Sequence, residues 1–355
     1  MRDTSSYTNH EAFSLLACAS ADSTSNLHRQ GKIDMRLLSA TLTATAPILR
    51  RERVLNLPTE VVRVEGPGVC DRHIIFVPGN PGVAAYYQEV AELLTERLNA
   101  TTAVVGLRGH TEPPAPGLFC RTFSLEEQVE HVSAFLESEA RDLGEDKQLV
   151  MIGHSIGAYI ALEALARVRP KRLAAAVGIM PYLENTDQAE TKKLAGLATS
   201  WWFPVAAYVV AALAQLIGWL PLWLRRWLVV KVEPKFPNFE PEQAALTLRA
   251  MPQMPLLLNV LFLFRSEAFN HAAPYDHATR LDGFKERVGL YFTDEGGDFT
   301  VDHWAPPCRA RKGAAAGLQV RVEPGLPHAF GTSASSRERV TKAVAEMVES
   351  LSKAS

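Results

Sequence analysis

One Gly-x-Ser-x-Gly motif, centred on Ser155, constrains the fold of this chain more than any other feature. The apolar run before it, 147–152, predicts a buried strand, and the run 160–168, rich in Ala and Leu, predicts a helix. A serine in a tight turn between a strand and a helix is typical of a nucleophile elbow, in which small residues two positions away on either side let the two elements approach closely. Gly153 and Gly157 are at those positions. The alternative is a glycine-rich turn that only packs a helix on a sheet.

The segments around this motif alternate between strand and helix patterns. Strands are predicted at 53–64, 73–77, 102–107, 173–180, 287–292 and 318–322, and helices at 87–98, 124–136, 255–264 and 336–351. Ser124, followed three residues later by Glu127, gives the second of these helices the sequence of a capping box. The alternation predicts an α/β fold with a mostly parallel central sheet and helices on both faces.

A chain of 355 residues, of which 47% are hydrophobic, is long enough to bury one large α/β core. We expect the core in two halves, 48–183 and 271–355, separated by an apolar helical insert at 184–270. Residues 1–47 are rich in Ser, Thr and Ala without periodicity, which predicts a disordered leader. Their few acidic residues are also compatible with an organellar transit peptide.

Charge and cysteine content argue against several classes of protein. A formal net charge of -2 lacks the basic field that nucleic-acid binding uses, so we expect no nucleic-acid partner. Cys18, Cys70, Cys120 and Cys308 are far apart in the sequence, which predicts free thiols in a reducing compartment. Residues 1–25 lack the apolar core of a secretory signal peptide, so secretion is not indicated.

The residues after the motif include the partners that a catalytic serine needs. Serine is a poor nucleophile until a histidine accepts its proton, and that histidine needs an acid to orient it. In enzymes built on this elbow the three groups follow one another as Ser, Asp, His, each in a loop after a strand. Here Ser155 is followed by several aspartates after the strand at 287–292, and then by His328 after the strand at 318–322. The order predicts Ser155 as nucleophile and His328 as base.

The loop after the strand at 73–77 is expected to stabilise the negative oxygen formed in acyl transfer. Such an oxyanion needs backbone N–H groups, one from this loop and one just after the nucleophile. Proline has no N–H, so within Pro-Gly-Asn-Pro-Gly only Gly79, Asn80 and Gly82 can donate. We predict Asn80, with Ile156 as its partner; the alternative is a proline-rich turn that binds nothing. For His110, a lone histidine in a later loop, we expect a structural role.

The run 194–224 contains no charged residue and is bordered by Lys192-Lys193 and Arg225-Arg226. Five tryptophans lie in or beside it: Trp201, Trp202, Trp219, Trp223 and Trp227. The last three recur at every fourth residue, so on one helix they would share a face. Tryptophan beside arginine is typical of a membrane–water interface, which predicts insertion into a lipid surface. The alternative is a lid whose apolar faces cover an internal pocket.

A bilayer-spanning arrangement of this run conflicts with the catalytic prediction. Two spans need about 40 apolar residues, more than the run supplies. A single span would leave Ser155 and His328 on opposite sides of the membrane. The segment is therefore expected to enter one leaflet or a monolayer and return, with Pro204, Gly218 and Pro221 as bends.

Four motifs together resemble the lipid droplet-associated hydrolases, a branch of the α/β-hydrolase fold. They are Pro-Gly-Asn-Pro-Gly at 78–82, Gly-His-Ser-Ile-Gly-Ala-Tyr at 153–159, Asp-His-Trp-Ala-Pro at 302–306 and Pro-His-Ala-Phe at 327–330. The resemblance implies a serine hydrolase of lipid esters with Ser155 as nucleophile, Asp302 as acid and His328 as base. It also implies an apolar cap that attaches to lipid droplets or to the endoplasmic reticulum. One departure is an apparent insertion at 295–301, which leaves Asp294, closer to the strand end, as an alternative acid.

The function we expect is hydrolysis of sterol esters or acylglycerols at the cytosolic face of the droplet or endoplasmic reticulum. A triad and an oxyanion hole suffice for acyl transfer, so we expect no metal and no dissociable cofactor. Two alternatives stay open. One is a droplet-binding or scaffolding protein with little activity, and the other is a soluble esterase of small esters.

Overall fold

An eight-stranded sheet forms the centre of the protein. The structure, a computed structural model, describes residues 47–111, 121–144, 146–183, 189–232, 239–271, 275–293 and 317–353. The strands are β1 (Ile48–Val54), β2 (Leu57–Val64), β3 (Arg72–Val77), β4 (Ala100–Val105), β5 (Gln148–His154), β6 (Leu173–Ile179), β7 (Val288–Thr293) and β8 (Gln319–Glu323). Their order is β1-β2-β4-β3-β5-β6-β7-β8, antiparallel from β1 through β4 and parallel from β4 to β8.

Helices cover both faces of this sheet. They are α1 (Gln88–Leu98), α2 (Leu125–Asp142), α3 (Ile156–Val168), α4 (Ala189–Thr199), α5 (Phe203–Gly218), α6 (Leu222–Val232), α7 (Pro241–Ala250), α8 (Met254–Asn270), α9 (His277–Arg280) and α10 (Ala334–Lys353). Side chains alternate along β3, so that Ile75 and Val77 pack with α2 and α3 while Ile74 and Phe76 pack with α1 and α10. The α/β arrangement predicted from the alternation of strands and helices is confirmed.

The first strands differ from the sequence prediction. The prediction of one strand at 53–64 is wrong, because β1 and β2 form a hairpin that turns at Leu55 and Asn56. Both residues have positive φ, 49° and 64°, as in the two-residue turns whose twist matches a hairpin. Asparagine tolerates this conformation, so Asn56 was the available signal. The predicted capping box at the start of α2 is confirmed, since Ser124 and Glu127 exchange hydrogen bonds.

Helices α4 to α8 form the insert, which follows β6 and lies at the carboxyl ends of the parallel strands. Helix α8 is central to this group, since it packs against α4 and α5 through the clusters that contain Phe203 and Ala211. Its first turns also join α7 and Val83, in the loop after β3. The insert thus rests on the loop that was predicted to hold the oxyanion.

Within the described ranges no single helix is both long and apolar enough to cross a membrane. Two bent pairs of helices reach the required length and hydropathy only together: residues 192–199 with α5, at 93°, and α7 with α8, at 94°. Of the leader predicted at 1–47, residues 1–46 lie outside the described residues. Cys70 is a free, buried thiol, and the other three cysteines also lie outside the described part.

Candidate active site

The strand–turn–helix around Ser155 has the geometry of a nucleophile elbow. Strand β5 ends directly before Ser155 and α3 begins directly after it. The serine has φ 54° and ψ −125°, a strained conformation for a residue with a side chain. A Cβ added to Gly157 would lie 2.2 Å from the Pro78 carbonyl oxygen, and one added to Gly153 would lie 2.4 Å from the Gly157 carbonyl oxygen. Both glycines are therefore required by close backbone contacts.

A chain of buried hydrogen bonds runs beneath this serine. The Tyr87 hydroxyl lies 2.7 Å from Nδ1 of His154, and Nε2 of His154 lies 3.1 Å from the carbonyl oxygen of His328. The backbone N–H of Gly79 donates to the Tyr87 hydroxyl oxygen at 3.3 Å. His154 immediately precedes Ser155, so this chain connects the elbow with the loops that carry Gly79 and His328.

The proton positions in this chain follow from its acceptors. A carbonyl oxygen only accepts, so Nε2 of His154 must carry the proton and Nδ1 must accept from Tyr87. Burial and the neighbouring His328 hold the pKa of His154 well below its usual value, so the ring stays neutral. Burial also raises the pKa of Tyr87 above its usual range, so its hydroxyl stays protonated. Each hydrogen bond between Gly79, Tyr87, His154 and His328 therefore has one fixed donor and one fixed acceptor.

The loop after β3 leaves one of the three predicted donors uncommitted. Gly79 donates to Tyr87, and the N–H of Gly82 donates to Nδ1 of His110 at 3.0 Å. Among the described residues the N–H of Asn80 makes no hydrogen bond. A Cβ added to Gly79 would lie 3.1 Å from Cβ of Ser155, which shows how closely this loop approaches the serine.

The N–H of Ile156 opens α3, and the first N–H groups of a helix have no acceptor within it. Among the hydrogen bonds of the described residues none has this N–H as donor, so it is a second uncommitted donor immediately after Ser155. The two predicted oxyanion donors thus belong to neighbouring loops.

His328 lies in the loop after β8, and its ring centroid is 4.9 Å from that of His154. Burial lowers the pKa of His328, so the ring is neutral at pH 7. The neutral ring can accept a proton. The structure connects Ser155 and His328 through His154, and between these two described residues there is no direct side-chain hydrogen bond. Catalytic hydrogen bonds often tighten only when substrate is bound.

Both predicted acids, Asp302 and Asp294, lie outside the described residues. Strand β7 ends at Thr293, one residue before Asp294. The choice between the two carboxylates therefore stays open. No group of metal-ligating side chains occurs in the part of the chain that the structure describes.

A cavity of about 430 Å³ opens beside this site. The loops of the core supply one wall and helix α7 supplies the other. Its lining includes Asn80, His154, His328, Gln243, Thr247 and Met251. Since His154 precedes Ser155 and Asn80 carries the uncommitted N–H, a ligand in this cavity lies next to both predicted catalytic loops.

Helix α8 reaches the same loop from the side of the insert. Nδ2 of Asn80 donates to the carbonyl oxygen of Val260 at 3.0 Å and lies 3.4 Å from Oε1 of Glu267. The end predicted for the helix at 255–264 is wrong, because α8 continues to Asn270 and Glu267 is buried. A charged residue after an apolar run looks like a helix end, and only the fold shows that it faces the core.

The five tryptophans lie on the outer side of the insert, where Trp201 is 87% exposed and Trp223 is 71% exposed. The prediction of one shared helical face is wrong for Trp219, which lies in the turn between α5 and α6. Trp223 and Trp227 do share a face of α6. Pro221 explains the break, because it starts a new helix at α6.

Of the basic residues that border the apolar run, Arg225 is turned inward. It donates to the carbonyl oxygens of Gly218, Leu220 and Leu248, and thereby fixes the turn between α5 and α6 against α7. Arg226, by contrast, is exposed.

A family model for lipid-droplet associated hydrolases matches residues 70–331. The chain belongs to this family. The match runs from the start of β3 through the elbow and the insert to the His328 loop, which are the parts described above. The resemblance inferred from the four sequence motifs is thereby confirmed.

Curated relatives have the same description. The lipid droplet-associated hydrolase of Dictyostelium discoideum is 31% identical over 38% of this chain and 48% of its own length. The human protein is 30% identical over 39% of this chain and 46% of its own length, and the rat protein is 26% identical over 73% and 80%. The first relatives are thus matched over about half of their length.

Solved structures show the fold. A haloalkane dehalogenase from Bradyrhizobium elkani superposes with a TM-score of 0.59 at 15% identity, over 87% of this chain and all of that one. A monoglyceride lipase from Saccharomyces cerevisiae gives 0.57 at 12% identity, over 88% and 97%. An epoxide hydrolase from Vigna radiata gives 0.58 at 13% identity, over 86% and 99%. The α/β-hydrolase fold expected from the sequence is confirmed.

Proposed function

We propose that this protein is a serine hydrolase that cleaves carboxylic esters of lipids through an acyl-enzyme. The observation that carries the proposal is the strained Ser155 elbow flanked by two uncommitted N–H groups, those of Asn80 and Ile156. Membership of a hydrolase family supports it. So does the cavity beside Asn80 and His328, which has room for part of a lipid.

In the proposed reaction His328 takes the proton of the Ser155 hydroxyl as its oxygen attacks the ester carbonyl carbon. The carbonyl oxygen becomes negative and accepts hydrogen bonds from Asn80 and Ile156. His328 then passes the proton to the leaving alcohol, and the serine stays acylated. A water molecule, deprotonated in turn by His328, attacks the acyl carbon, and His328 returns that proton to the Ser155 oxygen as the acid leaves. Asp302 would orient the imidazole, with Asp294 as the alternative.

In the proposed mechanism the two backbone donors and the triad lower the activation barrier of acyl transfer. One oxyanion donor is worth about 2.7–4 kcal/mol of transition-state stabilisation. The N–H of Asn80 fits this role because its neighbours Gly79 and Gly82 donate elsewhere. The His154 hydrogen bond to the His328 carbonyl oxygen supports the loop of the base, and therefore acts through position.

We further propose that the insert attaches to a lipid surface such as a droplet monolayer from one side. The outward faces of α5 and α6 expose Val205, Val209, Leu213, Leu216, Trp223 and Trp227. Exposed side chains of this size do not form the inner wall of a lid, and a contiguous apolar patch marks an interaction surface. The names of the relatives place those proteins at lipid droplets.

Labelling with a fluorophosphonate tests the nucleophile. Wild-type protein is expected to be labelled, and Ser155→Ala to lose the label while keeping its melting temperature. Ser133→Ala is the matched control, because Ser133 lies on α2 and bonds only to the carbonyl oxygen of Val129. Full labelling of Ser155→Ala would overturn the proposal. Purified protein assayed against sterol esters, acylglycerols and short aryl esters then identifies the substrate class.

The exposed tryptophan face also supports a second function, binding to droplets without catalysis. The two functions differ in the behaviour of Ser155→Ala in cells. If the inactive variant restores every cellular phenotype of a deletion, droplet binding is the function. If only the wild-type protein restores these phenotypes, catalysis is the function. A soluble esterase of small esters would show no partition into lipid at all.

A further inference from the structure

Glu267 is a buried carboxyl group in contact with the predicted oxyanion loop. It lies on α8, and only 6% of its surface is exposed. Its Oε1 is 3.4 Å from Nδ2 of Asn80, and that nitrogen also donates to Val260. Asn80 thus contributes its side chain to the insert, while its backbone N–H is left for the substrate. The contact joins the insert directly to the residue proposed to hold the oxyanion.

We propose that Glu267, in its neutral form, is a positioning residue that holds Asn80 in the orientation needed for the oxyanion, and that loss of its proton switches the site off. This inference rests on the proposed function, because it takes the N–H of Asn80 as an oxyanion donor.

The hydrogen-bonding capacity of the two side chains supports a neutral acid. A carboxylic acid has one O–H donor and one carbonyl acceptor, whereas a carboxylate only accepts. Oδ1 of Asn80 is buried and has no hydrogen-bond partner among the described residues. A protonated Glu267 accepts from Nδ2 and also carries an O–H, the kind of donor that a buried acceptor such as Oδ1 lacks. A carboxylate would leave that oxygen unsatisfied.

No cation in the described structure compensates a charge on Glu267. The nearest arginine along α8, Arg265, is turned away and donates to the carbonyl oxygens of Ala198 and Ser200. Burial, opposed only by the Asn80 hydrogen bond, raises the pKa of Glu267 to about 8. Both observations indicate that the acid is neutral at pH 7 and ionises in mildly alkaline solution.

The other titratable groups around this contact do not change protonation between neutral and mildly alkaline pH. On α8 itself, burial lowers the pKa of His271 to about 4, and in the loop after β6 burial raises the pKa of Tyr182 above its usual range. Burial lowers the pKa of His110 to about 3. His154 and His328, on the elbow side, also have lowered pKa values. Of these described groups, Glu267 is the one that changes charge between pH 6 and 9.

A charge on Glu267 would oppose catalysis in two ways. The carboxylate would repel the negative oxygen that forms at the N–H of Asn80, in a site where few water molecules screen the charges. It would also leave Oδ1 of Asn80 unsatisfied, which favours a rearrangement of the loop. Both effects act on the transition state, so they lower kcat more than they change KM.

The test compares Glu267→Gln and Glu267→Leu with wild type, using p-nitrophenyl butyrate from pH 6 to 9.5 and subtracting the rate of Ser155→Ala. Glutamine keeps an acceptor and a donor but cannot ionise. We expect wild-type kcat to fall at least tenfold from pH 7 to 9.5, whereas Glu267→Gln stays within about twofold. Glu267→Leu is expected to lose at least tenfold in kcat at pH 7, with little change in KM.

Glu163→Gln is the matched control, because Glu163 is also a buried glutamate but pairs with Arg280 on α9. The kcat of Glu163→Gln should fall from pH 7 to 9.5 as the kcat of wild type does. Glu267→Gln with the same alkaline fall as wild type, or Glu267→Leu with unchanged kcat, would overturn the inference.

A second measurement does not depend on activity. An acid whose pKa is higher in the folded state than in the unfolded state makes folding less favourable as pH rises between the two values. The wild-type folding constant should therefore fall, relative to that of Glu267→Gln, by up to about tenfold per pH unit between about pH 5 and 8, and stay level above. A constant ratio would overturn the protonation that the inference requires.

The outcomes also separate this inference from the proposed function. If Ser155→Ala keeps fluorophosphonate labelling, the proposed nucleophile is wrong and the positioning role falls with it. If Ser155 is the nucleophile and the alkaline fall persists in Glu267→Gln, only the role of Glu267 is wrong.

Discussion

At the scale of single residues, His154 contributes more than the spacing of the motif suggests. It occupies a variable position of Gly-x-Ser-x-Gly, yet both ring nitrogens are engaged, one by Tyr87 and one by the carbonyl oxygen of His328. The Tyr87 hydroxyl is also the acceptor for the N–H of Gly79. One tyrosine oxygen therefore fixes the tautomer of His154 and the path of the loop that carries Gly79 and Asn80.

Tyr87→Phe removes that oxygen and leaves two buried polar groups, the Gly79 N–H and His154 Nδ1, without their partner. We expect a loss of about 1–3 kcal/mol in unfolding free energy, measured by urea denaturation. We expect kcat to fall about tenfold, because the loop that carries Asn80 loses its support and misplacement of an oxyanion donor acts on the transition state.

Tyr291→Phe is the control for this variant, since its hydroxyl is also largely enclosed and donates to Glu323 at 3.1 Å on the far strands. It should lower stability without changing kcat. Equal loss of kcat in both variants would show that Tyr87 acts only through general stability.

The sequence predicts these residues unevenly, for a physical reason. Ser155 and the two elbow glycines are recognisable because local backbone geometry demands those residue types at a fixed spacing. Tyr87 and Glu267 act through contacts with residues far away in the chain, at 67 and 187 positions. No local pattern encodes such pairs, so the fold had to show them.

At the scale of helices, the apolar insert was predictable as a segment but not as a set of elements. The absence of charge in 194–224 marked it correctly as unusual. The break after α5 lies at Gly218 and Pro221, where bends were expected, but the inward turn of Arg225 depends on a contact with α7 that composition does not reveal. The described helices nevertheless leave Trp223 and Trp227 exposed on one face, as interfacial binding requires.

Replacing Trp223 and Trp227 by Ser should weaken binding to phospholipid-coated triacylglycerol droplets without unfolding the protein, because both rings are exposed. Burying an apolar side chain of this size contributes about 1.5–3 kcal/mol, so losing two such contacts should reduce partition at least tenfold. Flotation of purified protein with artificial droplets measures this.

Leu49→Ser with Leu55→Ser is the control for the tryptophan pair, since both leucines are exposed on the β1–β2 hairpin. This control should float like wild type. Unchanged flotation of the tryptophan variant would show that α6 does not form the lipid contact.

At the scale of the whole molecule, one buried arginine connects the insert to both ends of the core. Arg337 on α10 is 3% exposed and forms ion pairs with Glu89 on α1 and with Glu240, the residue that precedes α7. It also donates to the carbonyl oxygen of Gly331 at 2.9 Å. Since α7 and Gly331 both line the cavity, this arginine fixes two of its walls relative to each other.

Arg337→Met should therefore affect both stability and substrate binding. The guanidinium is buried, but Glu89 and Glu240 are each 31% exposed, so the loss should be smaller than the roughly 3–5 kcal/mol of a fully buried pair and larger than that of a surface pair. Arg339→Met, two residues further along α10, removes an exposed pair with Glu323 and should cost less than about 1 kcal/mol. Urea denaturation of the two variants compares their unfolding free energies directly.

If the cavity wall opposite His328 depends on Arg337, KM for long-chain esters should rise in Arg337→Met more than KM for p-nitrophenyl acetate. An equal rise for both would show that the arginine stabilises the fold without shaping the cavity.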